Sequence, residues 1–110
     1  MIVEYVRYRI DVARAPRFVE AYRDAFDPLL ASAYCLRAEL ARCEEDPASF
    51  VVRIEWSSTE DHLTRFRGGA EFRRFFALVR PFVDDIEEMR HYAVLEERSA
   101  SSAPAGGPDA

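Results

Sequence analysis

Three residue types are missing from this chain of 110 residues: lysine, asparagine and glutamine. All 15 basic residues are therefore arginine, set against 20 acidic ones, and the net charge is −5. Without lysine there is no Schiff-base chemistry and no Walker-type phosphate loop. Without asparagine, one common donor to an oxyanion or a haem pocket is gone. An acidic chain with no basic cluster is a poor partner for nucleic acid or for an anionic membrane. No apolar run reaches the ~18 residues that a bilayer span requires. Met1 leads straight into strand-like sequence rather than a basic–apolar–small leader, so the expected location is the cytoplasm. Cysteine is scarce as well. Cys35 and Cys43 fall in one segment that reads as extended, which would separate them by roughly 26 Å. A disulfide needs Cα atoms within ~7 Å. Free thiols are expected, and neither has the CxxC spacing or histidine neighbour of a catalytic thiol.

The most informative stretch runs from Phe50 to Phe76. Phe50, Val52, Ile54 and Trp56 alternate with Val51, Arg53 and Glu55, the period of a strand with one apolar face. At Trp56, the only tryptophan, the pattern stops. Ser57 precedes Glu60 at the spacing of a capping box, which predicts a helix start. Thr59, His62, Leu63 and Phe66 then share one helical side, and Gly68-Gly69 ends that helix. A second helix carries Phe72, Phe75, Phe76 and Val79 at i, i+3, i+4, i+7. Two short aromatic helices thus fold back over a strand face, which makes either a core or a pocket.

Taken in order, Ile2 to Ile10 reads as a strand with Ile2, Glu4, Val6, Tyr8 and Ile10 on one face. Pro16 suits a first helical turn. Phe18, Tyr22, Ala25, Phe26 and Leu29 give a helical stripe that should bend or restart at Asp27-Pro28 and end near Ser32. Cys35 to Cys43 is compatible with a helix by propensity. The alternation of Leu36, Ala38 and Leu40 and the turn chemistry of residues 44–49 favour a hairpin into the next strand. Residues 80–88 read as a connection with a short helix, and Arg90 to Glu96 as the last strand. The plan is α+β: a ferredoxin-like β-α-β-β-α-β with a four-stranded antiparallel sheet. One domain over residues 1–97 is expected, followed by a disordered tail over 98–110 rich in Ser, Pro, Gly and Ala. The remaining sheet face mixes Arg7, Arg9, Arg37, Glu39, Arg53 and Glu55 with Val3, Tyr5 and Val51. Either water or a second copy of the chain would cover it.

The FVVRIEW strand, the SSTEDH helix start and the HLTRF…AEFRRFF helices resemble the antibiotic biosynthesis monooxygenase-like family of dimeric α/β barrels, over roughly residues 1–96. The resemblance implies a homodimer whose two sheets close a barrel, with a pocket in each protomer between sheet and helices. It also implies a cofactor-independent monooxygenase that oxidises a small phenolic or hydroquinone-type aromatic with O₂. A non-catalytic dimeric domain that binds a small ligand is the alternative. Trp56 matches the tryptophan that ends the third strand in both enzyme branches of the family. The haem-degrading branch places a histidine near the positions of Arg65 or Phe66, neither of which can ligate iron, so haem degradation is disfavoured and no cofactor is expected.

His62 and Trp56 are the candidate catalytic residues. A histidine titrates near neutral pH and can take a phenolic proton, and the resulting phenolate is electron-rich enough to reduce O₂. Tyr22, Phe26, Phe66, Phe72, Phe76 and His91 are the candidate substrate-binding residues. Each has a plain packing role as the competing explanation. Arg65 and Arg67 are candidates to hold an oxyanion, with solvated helix charges as the commoner case. His62 and His91 with Glu88 or Asp61 would be the minimum for a metal site. Nothing in their spacing supports one, and no metal is expected.

Overall fold

A computed structural model of the protein describes residues 1–100, so most of the expected tail lies outside the described residues. The elements run β1 (Ile2–Arg9), α1 (Ala15–Ala31), β2 (Cys35–Arg42), β3 (Ser49–Trp56), a π-helix (Asp61–Phe66), α2 (Ala70–Val79) and β4 (Ile86–Ala93). The four strands form one antiparallel sheet in the order β2-β3-β1-β4. This is the α+β, ferredoxin-like plan that the alternating and helical patterns require.

The helices cover one sheet face, and the period of two in the strands decides which residues meet them. Val6, Tyr8, Phe50, Val52, Ile54 and Trp56 point into a single core with Phe18, Tyr22, Ala25 and Leu29 of α1 and Phe66 and Val79 from the second helical segment. Phe18 is completely buried and touches the rings of Tyr8, Tyr22, Phe50 and Phe82. Burying such a side chain contributes roughly 1.5–3 kcal/mol. Glu4 shares this inward face and is 2% exposed. In the register β1 sets Glu4 beside Ile54 on one side and His91 of β4 on the other.

Several local boundaries differ from the sequence pattern. α1 neither bends into two nor restarts: Pro28 lies inside it, in the last turn, with its ring buried. A proline this near the C-terminus of a helix loses one backbone bond, and the packing of Leu29 and Ala25 outweighs it. The helix after Trp56 starts one residue later than the capping box suggests. Ser58, not Ser57, caps it, with Oγ accepting from the Asp61 amide at 2.9 Å. β4 begins at Ile86, four residues before the pattern suggests, because Glu88 pairs with Arg7 across the ladder and both face outward. Cys35 and Cys43 are free. No helix among the described residues is long and apolar enough to cross a membrane.

Candidate functional site

Trp56 closes the apolar face of β3, and the chain must turn back at once. Ser58 caps the turn, and the helix that follows is wide: the Arg67 amide donates to the His62 carbonyl at 3.3 Å, an i→i+5 bond. Such π turns change the direction of a side chain relative to a regular helix and recur at functional sites. Here His62 and Phe66 point inward while Leu63 is 45% exposed. The His62 ring stacks on Trp56 with centroids 4.2 Å apart and planes 11° from parallel.

Beneath that stack lies Glu4. Its Oε1 accepts the indole N–H of Trp56 at 2.9 Å and stands 3.7 Å from Nε2 of His62. The other imidazole nitrogen, Nδ1, is 2.7 Å from Nε2 of His91. Burial raises the Glu4 carboxyl above its usual range, against the opposing pull of the Trp56 N–H and the Arg67 charge. Burial also pushes His62 down to about 3, helped by the Arg67 charge and by the neighbouring His91. His91 is lowered by burial and then by Arg67. Both imidazoles are therefore neutral at neutral pH, and Arg67 is the cation that all three groups sense.

Glu4, Trp56 and His62 form one end of a cavity of about 260 Å³ between the sheet and the helices. Its wall is mostly apolar: Ile54, Phe66, Phe72, Phe75, Val79 and Met89 contribute, and Arg67 stands at its edge. Tyr8 and Tyr22 also line it, with hydroxyls 2.5 Å apart. Burial pushes the Tyr8 phenol up to about 12, so this pair stays protonated and satisfies itself. The volume sits just under the roughly 300–1,000 Å³ of common ligand sites, which suits one small molecule.

Of the eight catalytic and substrate-binding candidates, six stand in this wall: Trp56, His62, Tyr22, Phe66, Phe72 and Phe76. Two do not. Phe26 packs behind Tyr22 with ring centroids 6.0 Å apart, and His91 stands behind His62 as its hydrogen-bond partner. The Trp56 N–H is spent on Glu4, so its polar atom orients the acid. Arg65 pairs with Asp61 outside the wall, whereas Arg67 lines it. Neither Asp61 nor Glu88 is the acid near the two histidines. Asp61 is held by Ser57 and Arg65, and Glu88 by Arg7 and Arg90 on the outer face. That acid is Glu4, which sequence reasoning missed. Its one signal was a carboxylate in an otherwise apolar strand face.

A four-stranded antiparallel sheet with helices on one face and an aromatic pocket between the layers defines an α+β domain of the ferredoxin-like class. The sequence profile of the antibiotic biosynthesis monooxygenase family matches residues 1–78, and the chain belongs to that family. YczJ of Bacillus subtilis (strain 168), an uncharacterised protein, is 25% identical over 92 residues, covering 84% of this chain and 97% of its own. Among solved structures, a protein provisionally named an antibiotic biosynthesis monooxygenase from Bordetella bronchiseptica superposes with a TM-score of 0.72 at 19% identity, over 86% of this chain and 97% of its own. Rv0793 from Mycobacterium tuberculosis superposes at 0.69 and 15% identity, over 89% and 98%. At such identities the structural likeness establishes the fold.

Proposed function

We propose that this pocket is the active site of a cofactor-independent monooxygenase. Its substrate is a small phenolic or hydroquinone-type aromatic, and its oxidant is O₂. The observation that carries the reading is the Nε2 atom of His62. It makes no hydrogen bond among the described residues and stands 3.7 Å from a buried carboxylate at one end of an aromatic cavity. In this role Nε2 accepts the phenolic proton and Glu4 stabilises the imidazolium that forms, as a carboxylate does beside a catalytic histidine. Arg67 favours the phenolate. The electron-rich ring then reduces O₂ itself: one oxygen atom joins the ring carbon, and the other leaves as water with two hydrogens from the substrate. The phenylalanines of the wall exclude bulk water and admit O₂.

The protein is proposed to act as a homodimer closed through the outer sheet face. Support comes from the exposed Tyr92 packed edge-on against Tyr5 at 5.5 Å, and from arginines and glutamates that already pair across that face. Light scattering at micromolar concentration should give the mass of two chains, and a single-chain mass rejects the dimer. The activity is tested by following O₂ uptake with anthrone-type and hydroquinone substrates. Uptake that depends on protein supports the reading. Saturable binding of those aromatics without turnover would instead mark a ligand-binding domain.

A further inference from the structure

The sheet register brings together three groups that are far apart in sequence. Glu4 and His91 are direct neighbours across the β1–β4 ladder, and the π-helix lowers His62 onto them. One ligand atom from each lies within 4.8 Å of the other two. Glu4 is 2% exposed and His62 is 4% exposed, and the two face the cavity while His91 supports them from behind. From these positions we infer that Glu4 and His62, with His91 orienting the imidazole from behind, form a binding site for a divalent transition-metal ion, and that the ion switches the proposed reaction off.

The donor set is one carboxylate and one imidazole backed by a second imidazole, which suits zinc, cobalt or ferrous iron rather than calcium or magnesium. Donors ~2.1 Å from a common ion stand roughly 3–4.2 Å apart. Glu4 Oε1 and His62 Nε2, at 3.7 Å, meet that separation as they stand. His91 Nε2 stands 2.7 Å from Nδ1, the opposite nitrogen of the His62 ring, so His91 backs the ligating imidazole and is not itself a donor to the ion. When His62 Nδ1–H is the donor of that bond, the tautomer leaves Nε2 free to ligate, the usual arrangement behind a metal-bound histidine. The remaining coordination positions open on the cavity. A buried carboxylate normally has a cation in contact with it. Among the described residues Glu4 has only an indole N–H and an imidazole. Arg67 opposes an incoming cation, but its side chain is exposed and can swing out.

The consequence for activity is a competition for atoms. The lone pair on His62 Nε2 that would take the substrate proton is the one an ion would occupy, and the Glu4 oxygen that would stabilise the imidazolium is its neighbour. The inference rests on the proposed reaction only for this inhibition; binding is measured without substrate. Metal-free protein is titrated with Co²⁺ and followed by its visible absorption, with Zn²⁺ as competitor. One ion per chain, displaced by Zn²⁺, is expected. Glu4→Gln and His91→Ala should each weaken binding at least ~10-fold. Glu4→Gln keeps the side-chain volume and His91→Ala trims a half-buried ring, and circular dichroism checks the fold; if Glu4→Gln fails to fold, His91→Ala carries the comparison. Absence of binding below millimolar Co²⁺ overturns the site. So does binding that both variants retain, or a thiolate-to-cobalt band that assigns the ion to Cys43. In an O₂-uptake assay, Zn²⁺ should abolish turnover and a chelator restore it. Unchanged turnover with the ion bound overturns the inhibition and leaves the site, whereas inactive protein that binds Co²⁺ counts against the oxidase chemistry alone.

Discussion

Two glutamates sit on neighbouring strands of the same sheet, both almost fully buried, and they have opposite fates. Glu55 of β3 points to the outer face. There Arg53 holds it at 2.5 Å, Arg37 stands at 3.9 Å, and the Arg53 Nε–H reaches on to the Tyr5 hydroxyl at 3.3 Å. Glu4 of β1 points to the inner face and, among the described residues, meets no cation in contact, only the Trp56 N–H and the His62 ring. Burial is nearly equal, at 7% and 2% exposed. What separates a structural carboxylate from a chemical one here is the partner. Glu55 has its charge matched, and its bonds are used within its own face. Glu4 has bonding capacity left over, and it is aimed at a cavity.

The contrast predicts opposite phenotypes. The largest effect is expected at the inner face: His62→Ala should lower turnover on a confirmed aromatic substrate by at least ~10²-fold. Its far-ultraviolet circular dichroism should match wild type. Full activity in that variant would move the base elsewhere, and unfolding would make His62 a packing residue. Glu55→Ala is the mirror experiment. It leaves the partly buried Arg53 without its carboxylate, which should cost about 1–3 kcal/mol in urea unfolding. Turnover per folded molecule should stay near wild type, since Glu55 faces away from the pocket.

A pH titration of stability in the presence of a chelator sharpens the same comparison. His62 has a folded pKa near 3 against an unfolded 6.5, so the unfolded chain binds a proton that the folded one refuses. Its contribution is present above pH 6.5 and is lost as pH falls toward 3. Glu4 works the other way. Its raised folded pKa favours the protonated folded form, so stability declines as pH rises above 4.5, the ordinary value of an unfolded glutamate. His62→Gln should flatten the acid limb, and Glu4→Gln should flatten the decline on the other side. An unchanged profile in both would mean that neither group is desolvated as the geometry requires. The smallest effect belongs to Tyr5→Phe. It removes one long hydrogen bond to Arg53 and should shift stability by about 0.5 kcal/mol or less.

Much of the fold was legible because each strand carries its own signal. Phe50, Val52, Ile54 and Trp56 announce an inward face without reference to any other part of the chain. The helical stripe of α1 does the same, and so does the aromatic repeat of α2. The pairing of Trp56 with His62 was equally local, since the chain turns back within a few residues. Glu4 and His91 were not readable together, because only the β1–β4 register makes them neighbours and register is a long-range property. Pro28 misled for a related reason: propensity is local, whereas the packing that keeps the helix going past it comes from the sheet. The π turn left no trace in the pattern, since His62 and Phe66 fit an ordinary helix as well.

That turn bears on how relatives are compared. A helix with one residue more per turn than usual sets the phase of everything before it, and each residue added or removed rotates the preceding side chains by about 100°. A relative that lacks the extra residue, yet keeps a histidine in the same alignment column, would present it to solvent or to α2 rather than to the tryptophan. A relative with the histidine one column away could stack it on Trp56 just as well. Column identity and spatial identity come apart between Ser58 and Gly68. A family-wide count of histidines at this column would therefore mix proteins that have this site with proteins that do not.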